Sequence, residues 1–198
     1  MIKKIPAGTL TLEARLEIQS PTKGVVITHP HPLYGGDMDN PVVSVIEGTF
    51  REKGFTTLRF NFRGVGTSTG RFDNGRGEIR DLGYALDHLK CLGIRETYLA
   101  GYSFGAWVIA HTRNPGANRM LLVSPPAAFM DFSTANPMDC PVSAITGSLD
   151  ELAPPASVSP LMKRLNPESD LVVMEGADHF YSGFSRELSA TVSDLIVP

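Results

Sequence analysis

Five short apolar runs constrain the fold of this chain more than any other feature of its sequence. Each run is continuous, whereas a strand with one solvent-exposed face alternates apolar and polar side chains. Continuous runs are typical of strands that are buried on both faces, as in a parallel sheet with helices above and below it. The runs are Val25–Thr28, Tyr98–Gly101, Met120–Val123, Val142–Thr146 and Leu171–Met174.

The N-terminal segment has a different pattern. Apolar residues occupy every second position from Leu10 to Ile18, and polar residues lie between them. This alternation predicts a half-exposed strand or a short hairpin, with its apolar face ending at Ile18. Such a segment belongs at the margin of the sheet, in antiparallel pairing.

Helical periodicity fills the intervals between the apolar runs. Asn40 followed by Pro41 favours a helix start, and apolar residues then recur at every fourth position. Helical spacing also occurs within residues 79–89 and within residues 184–195. The segment Ala106–Ala110 is apolar on all sides, which is typical of a helix buried in the middle of a molecule.

These patterns predict an α/β fold. Residues 1–198 are expected to form a single domain, with a mostly parallel central sheet, one or more antiparallel N-terminal strands and helices on both faces. The net charge of −3 provides no cationic surface for nucleic acid or an anionic membrane, so we expect neither as a partner. No apolar run has the length of a signal peptide or a membrane span, which favours a cytoplasmic location.

The pattern G-x-S-x-G occurs twice, at residues 101–105 and at residues 66–70. The first match follows a predicted buried strand and precedes a predicted buried helix, the setting in which a serine projects from a strained turn. The second match is followed by turn-forming residues, which place Ser68 in a loop. Ser103 is therefore the candidate nucleophile.

A serine nucleophile requires a base, and the base requires an acid that orients it. His179 lies just beyond the last apolar run, at the carboxyl end of a predicted strand, where open α/β sheets place their sites. Asp150 has the same placement after the preceding run. The order Ser103, Asp150, His179 is the order of nucleophile, acid and base in α/β-hydrolases.

Two other chemistries have less support. Residues 29–31 resemble the start of a metal-binding H-x-H-x-D motif, but Leu33 stands at its acidic position. Residues 64–66 resemble the start of a dinucleotide fingerprint, but Thr69 stands in place of the third glycine. With 2 cysteines and no C-x-x-C motif, we expect neither a metal nor a cofactor.

A resemblance to a known family covers essentially the whole chain. Its segments are HPHPLYGG (29–36), NFRGVGTSTG (61–70), GYSFG (101–105), GSLDE (147–151) and GADHF (176–180). Together they resemble the small, lidless α/β-hydrolases close to the dienelactone-hydrolase-like esterases. This resemblance implies the α/β-hydrolase fold without a cap domain, and it places Ser103, Asp150 and His179 in the triad positions. Dienelactone hydrolases proper use a cysteine where this chain has Ser103.

An acyl-transfer site also needs hydrogen-bond donors for the oxyanion of its tetrahedral intermediate. The N–H of Phe104, which follows the nucleophile, is the first expected donor. The second is expected from residues 29–36, where the prolines have no N–H and we favour Leu33 and His31, with Tyr34 as a further possibility.

The segment between the third and fourth apolar runs, residues 124–141, is too short for a cap of several helices. The site is therefore expected to be an open groove, with Tyr34, Phe129 and Phe180 as substrate-binding residues. The predicted function is hydrolysis of a carboxylic ester or thioester of a small substrate through an acyl-enzyme. The alternative is a hydrolase-fold protein that binds a ligand without turnover, and the complete set of nucleophile, acid and base argues against it.

Overall fold

An eight-stranded sheet with five helices around it forms the fold, and the computed structural model describes residues 2–113 and 115–196. The strands are β1 (Ile2–Ala7), β2 (Leu10–Glu17), β3 (Lys23–Thr28), β4 (Thr56–Phe60), β5 (Glu96–Tyr102), β6 (Arg119–Val123), β7 (Val142–Gly147) and β8 (Asp170–Met174). The helices are α1 (Pro41–Glu52), α2 (Arg76–Cys91), α3 (Phe104–His111), α4 (Pro155–Leu165) and α5 (Ser185–Leu195), and a short 3-10 helix covers Pro32–Tyr34.

The sheet is mostly parallel, as the sequence predicts. Its strands lie side by side in the order β1-β2-β4-β3-β5-β6-β7-β8. β1 and β2 form an antiparallel hairpin, β2 pairs antiparallel with β4, and all later neighbours are parallel. The prediction of antiparallel N-terminal strands at the margin of a parallel sheet is thus confirmed.

Helices cover both faces of the sheet, and alternate strand residues explain the continuous apolar runs. Val25 and Ile27 of β3 pack into a core layer beneath α1 and α5. Val26, between them, packs into the opposite layer, which α2, α3 and α4 cover. All three side chains have no exposed surface. A strand buried on both faces has no position at which a polar residue is favoured.

Two predictions about burial are wrong. β8 is an edge strand rather than a strand buried on both faces, and Val173 within it is 43% exposed. Ile18 is 69% exposed because β2 ends at Glu17, one residue before the alternating pattern does. In both cases the sequence has an apolar residue at a position where no neighbouring strand or helix covers its side chain.

Three elements lie outside the predicted ones: β1, which precedes the alternating segment, β4 and α4. β4 contains Thr56 and Thr57, so its sequence does not form a continuous apolar run. Both threonines are nevertheless buried, and their hydroxyls donate to the Ser20 carbonyl and the Glu47 carboxylate, respectively. α4 begins at Pro155, where the missing N–H costs nothing because the first helical N–H groups have no partner within the helix. Pro160 lies inside α4 and disguises its helical spacing.

The connections between strands locate the functional region. From β3 the chain crosses to β4 on one side and then returns to place β5 on the other side of β3. The connections leaving β3 and β5 therefore diverge, and such a switch point is where open α/β sheets bind ligands. Residues 124–141, where a cap would be inserted, contain no helix or strand. No helix within residues 2–113 and 115–196 is both long and apolar enough to cross a membrane.

A buried ion pair fixes the loop after β4, which borders this region. The Asp81 carboxylate accepts hydrogen bonds from the Arg63 backbone N–H at 3.0 Å, from Nε at 3.0 Å and from Nη2 at 2.7 Å. The Asp81 side chain has no exposed surface. The same loop carries Phe72, whose ring packs 5.1 Å from the ring of His31 and 5.9 Å from that of Phe104. The ion pair thus supports both segments from which oxyanion donors are expected.

We expect Asp81→Asn to lower the free energy of unfolding by about 3–5 kcal/mol, because it removes the only carboxylate that is hydrogen-bonded to the buried Arg63 guanidinium among the described residues. Urea unfolding followed by circular dichroism measures the change. Arg80→Ala is the matched control, since it breaks an ion pair with Asp73 whose side chains are 63% and 45% exposed. Its effect is expected to stay below about 1 kcal/mol. Equal effects of the two variants would contradict this account.

Candidate active site

Ser103 occupies the sharp turn between β5 and α3. Its backbone has φ 54° and ψ −116°, a conformation that non-glycine residues rarely adopt. The turn is tight because α3 packs directly against the sheet: a Cβ on Gly105 would lie 2.6 Å from the carbonyl oxygen of Thr28. A Cβ on Gly101 would lie 2.6 Å from the carbonyl carbon of Gly105. The two glycines of the G-x-S-x-G pattern are therefore required by close approach of the backbone.

The structure brings together the three residues predicted as nucleophile, acid and base. The Oγ atom of Ser103 lies 3.0 Å from Nε2 of His179. The Nδ1 atom of His179 lies 2.9 Å from each carboxylate oxygen of Asp150. The three side chains come from the ends of different strands, β5, β7 and β8. All three residues are buried, with exposures of 8% for Ser103, 6% for His179 and 2% for Asp150.

Hydrogen bonds keep Asp150 ionised despite its burial. Burial by itself raises the pKa of this carboxyl group, but hydrogen bonds from His179 and the Ala153 backbone, together with the nearby Ser124 hydroxyl, outweigh it and lower the pKa below its ordinary value. Oδ1 accepts the backbone N–H groups of Leu152 at 3.0 Å and Ala153 at 2.7 Å. A carboxylate acceptor fixes His179 with its proton on Nδ1, which leaves Nε2 free to accept a proton from Ser103.

Three residues that the sequence reasoning missed support this arrangement. Ser124 follows β6, has φ 46° and no exposed surface, and its hydroxyl lies 2.8 Å from that of Tyr181. The Tyr181 hydroxyl also donates to the carbonyl oxygen of Ile145 at 3.4 Å, and the nearby Ser124 hydroxyl lowers the pKa of the Asp150 carboxyl group. The hydroxyl of Tyr102 donates to the carbonyl oxygen of His179 at 2.9 Å. The sequence did hold one indication that Ser124 belongs to the site: it is a polar residue at the carboxyl end of a buried strand.

The expected oxyanion donors are distinguished by their partners. Phe104 is the first residue of α3, so its N–H has no acceptor within the helix. The N–H of Leu33 already donates to Nδ1 of His31 at 3.2 Å, and the N–H of Tyr34 donates to the carbonyl oxygen of His31 at 3.1 Å. Among the described residues, the N–H of His31 has no hydrogen-bond acceptor. Of the two donors favoured from sequence, His31 is therefore open and Leu33 is engaged.

His29 holds the loop that carries His31. Its Nε2 accepts the N–H of Phe62 at 3.0 Å, which places its proton on Nδ1, and Nδ1 donates to the carbonyl oxygen of Pro30 at 2.7 Å. Burial lowers the pKa of His29 to about 4. The ring is thus neutral at ordinary pH and serves as a fixed brace between the loops after β3 and β4.

The predicted substrate-binding residues differ in their relation to Ser103. A cavity of about 220 Å³, called the central cavity below, is lined by Ser103, His179, Tyr34, Phe180 and His31 among others. Tyr34 is 74% exposed and Phe180 is 68% exposed, so both form its rim. Phe129 does not line this cavity, and its ring lies 6.3 Å from that of Tyr34. It belongs to the outer edge of the groove.

The competing motifs occupy structural positions. The hydroxyl of Ser68 donates to the carbonyl oxygen of Asn61 at 2.7 Å and accepts the N–H of Glu13 at 2.8 Å. Ser68 therefore fastens its loop to β2, in agreement with the prediction that it lies in a loop. Within residues 2–113 and 115–196, no group of three or more His, Cys, Asp or Glu side chains is arranged to hold a metal ion.

Comparisons with known proteins agree with this geometry. An alpha-beta serine hydrolase homologue from Coxiella burnetii superposes with a TM-score of 0.89 at 33% identity, covering 100% of this chain and 97% of that protein. An α/β serine hydrolase without a lid from Xanthomonas campestris gives 0.86 at 31% identity, with 98% and 92% covered. An uncharacterised protein of Rickettsia prowazekii is 37% identical in an alignment 184 positions long that covers 87% of this chain and 77% of that protein.

No family model matches the chain. The likeness to the two solved structures nonetheless extends over nearly their whole lengths, and the protein from Xanthomonas campestris is described as having no lid. The chain belongs to the lidless α/β serine hydrolases, and it is a hydrolase by fold.

The Ser124 hydroxyl near Asp150 gives an expectation for acid stability. The pKa of Asp150 is depressed in the folded state, so this group stabilises the fold above its unfolded-state pKa and loses that contribution as the pH falls through the folded-state pKa. Ser124→Ala removes a hydroxyl that lowers this pKa and so raises the folded-state pKa of Asp150. We expect the midpoint of acid unfolding to move to higher pH, and the free energy of unfolding at neutral pH to fall by about 1–3 kcal/mol.

Ser133→Ala is the matched control for this experiment. The Ser133 hydroxyl also donates to a carboxylate, that of Asp131 at 2.8 Å, but both residues are exposed and water can replace the bond. Acid titration followed by near-UV circular dichroism compares the variants. If the midpoint of acid unfolding is the same in Ser124→Ala, Ser133→Ala and the wild type, the Ser124 hydroxyl does not stabilise the ionised form of Asp150.

Proposed function

We propose that this hydrolase cleaves a carboxylic ester or thioester of a small substrate through an acyl-enzyme. The observation that carries the proposal is the unbroken hydrogen-bonded line from Ser103 Oγ through His179 to Asp150, at 3.0 Å and 2.9 Å. A serine hydroxyl is a poor nucleophile until a base removes its proton, and this line supplies the base and its orienting acid.

In the first half of the reaction, Ser103 Oγ attacks the carbonyl carbon of the substrate while its proton passes to Nε2 of His179. The imidazolium that forms is stabilised by Asp150. Negative charge develops on the former carbonyl oxygen, and we assign the N–H groups of Phe104 and His31 as its donors. Collapse of the tetrahedral intermediate breaks the bond to the alcohol or thiol, which leaves with the proton from His179.

In the second half, water attacks the acyl-enzyme and gives its proton to Nε2 of His179. A second tetrahedral intermediate uses the same oxyanion donors. Its collapse returns the proton to Ser103 Oγ and releases the carboxylic acid. The position of Phe104 at the start of α3 favours both intermediates, because the positive end of the helix dipole lies beside the oxyanion.

A fluorophosphonate probe tests the assignment of the nucleophile. We expect Ser103→Ala to abolish covalent labelling and to lower ester turnover by several orders of magnitude, since the remaining rate comes only from the oxyanion donors. Ser68→Ala is the matched control from the second G-x-S-x-G sequence, and it should be labelled like the wild type. Labelled protein is detected by intact mass. A wild-type chain that is neither labelled nor active on esters would favour the alternative of ligand binding without turnover.

Acyl-chain preference tests the open form of the groove. Each further buried CH₂ group can add about 0.8 kcal/mol of binding, but only where the protein has surface to bury it. Because Tyr34 and Phe180 are largely exposed and residues 124–141 form no cap, we expect kcat/KM for 4-nitrophenyl esters to peak at short chains such as acetate or butyrate. A value that continues to rise as far as palmitate would contradict this expectation.

A further inference from the structure

Two further cavities flank the central cavity, and Phe180 lines all three. The first, called the helix-side cavity, has a volume of about 290 Å³ and lies between the starts of α1 and α5. It shares Asn40 and Tyr102 with the central cavity. The second, called the acid-side cavity, has a volume of about 420 Å³ and shares Leu152 and His179 with the central cavity. The central cavity, which Ser103 lines, thus adjoins a separate space on each of two sides.

The position of His179 assigns a role to each space. The oxygen or sulfur atom that leaves must lie within hydrogen-bond distance of His179 Nε2 in order to take up its proton. The leaving group therefore extends from the side of Ser103 that faces His179. Of the two flanking cavities, only the acid-side cavity is lined by His179. The acyl group extends from the other side of the reacting carbon, so the helix-side cavity is the space assigned to it.

The two spaces differ in charge. The helix-side cavity has no charged lining residue and combines Val42, Val45 and Leu188 with the hydroxyls of Ser182 and Ser185. The acid-side cavity is lined by the carboxylates of Glu151 and Asp178, together with Leu149, Leu152, His179 and Phe180. None of the three cavities has a lysine or an arginine in its lining.

The two carboxylates are held differently. Oδ1 of Asp178 accepts the N–H groups of Phe180 at 3.0 Å and Ser182 at 3.3 Å, so this side chain is tied into its own loop. Glu151 is exposed, and no hydrogen bond or ion pair to its carboxylate is present among the described residues. Its negative charge is therefore available to a bound leaving group.

We propose that the helix-side cavity receives the acyl group and the acid-side cavity receives the leaving group, so that the substrates are esters of uncharged acyl groups with neutral or cationic alcohols. This assignment rests on the proposed function. Anionic leaving groups are disfavoured, because each would meet Glu151 and Asp178 without a compensating cation. Coenzyme A, whose phosphates require cationic partners, is among the leaving groups that the site disfavours.

Three butyrate esters that differ only in the charge of the alcohol test the proposal: butyrylcholine, its uncharged analogue 3,3-dimethylbutyl butyrate, and 2-sulfoethyl butyrate. We expect kcat/KM to be lowest for the sulfonate. We expect Glu151→Gln to reduce the ratio of kcat/KM for the choline ester to kcat/KM for the sulfonate ester by about three- to tenfold, the effect of one charge in a partly solvated site. Glu151→Lys should reduce it further.

Two controls locate the effect. Glu168→Gln removes an exposed carboxylate that lines none of the three cavities, and it should leave the ratio unchanged. The second control keeps the alcohol constant and varies the acyl charge, with 4-nitrophenyl butyrate and 4-nitrophenyl hemiglutarate. Glu151→Gln should change the ratio of these two esters much less than it changes the ratio for the alcohol series.

The outcomes separate this proposal from the one on which it rests. Hydrolysis of all three butyrates with a charge ratio that Glu151→Gln leaves unaltered would overturn the proposal while the esterase function stands. A larger change in the acyl series than in the alcohol series would show that the two cavities have the opposite roles. Failure of every ester, together with failure of the fluorophosphonate to label Ser103, would contradict the proposed function itself.

Discussion

The close approach of α3 to the sheet is the constraint on which the site depends. The backbone of Gly105 passes so near the Thr28 carbonyl that no Cβ fits between them, and Gly101 is equally confined by α3. With both neighbours fixed, the residue between them is forced to positive φ, and Ser103 projects its hydroxyl away from the sheet. The same turn starts the helix at Phe104, so one feature of the backbone provides both the nucleophile and an open N–H group.

Burial makes the hydrogen bonds around Asp150 decisive. A carboxylate that is 2% exposed is costly to ionise unless several donors surround it. Here the groups that favour the ionised carboxylate come from three parts of the chain: the turn after β7, the base on the loop after β8, and the Ser124 hydroxyl after β6. Three of the four non-glycine residues with positive φ in residues 2–113 and 115–196, namely Ser103, Ser124 and Tyr181, belong to this network. Strained backbone is thus concentrated where the polar groups must converge.

The absence of a cap determines the character of the surface around the site. Large apolar side chains at the carboxyl edge of the sheet, including Tyr34, Leu149 and Phe180, remain exposed, whereas the core layers beneath them are fully buried. A site of this kind binds its substrate mainly by the shape and charge of short loops. The asymmetry between an uncharged cavity on one side of Ser103 and an acid-lined cavity on the other is therefore the main feature available for selectivity.

The sequence by itself determined the mostly parallel α/β class of the fold and the setting of Ser103. Both follow from local chemistry, because apolar periodicity and paired glycines act over a few neighbouring residues. It also pointed to Asp150 and His179, since each follows a predicted buried strand and the carboxyl ends of parallel strands meet at one edge. Only the tertiary structure decided that Leu33 is engaged while His31 is open, that Ser124 and Tyr181 support the acid, and that β8 lies at an edge. The engagement of Leu33 depends on the exact turn of a short loop, and the other two facts depend on contacts between residues far apart in the chain, so the folded backbone is needed to establish them.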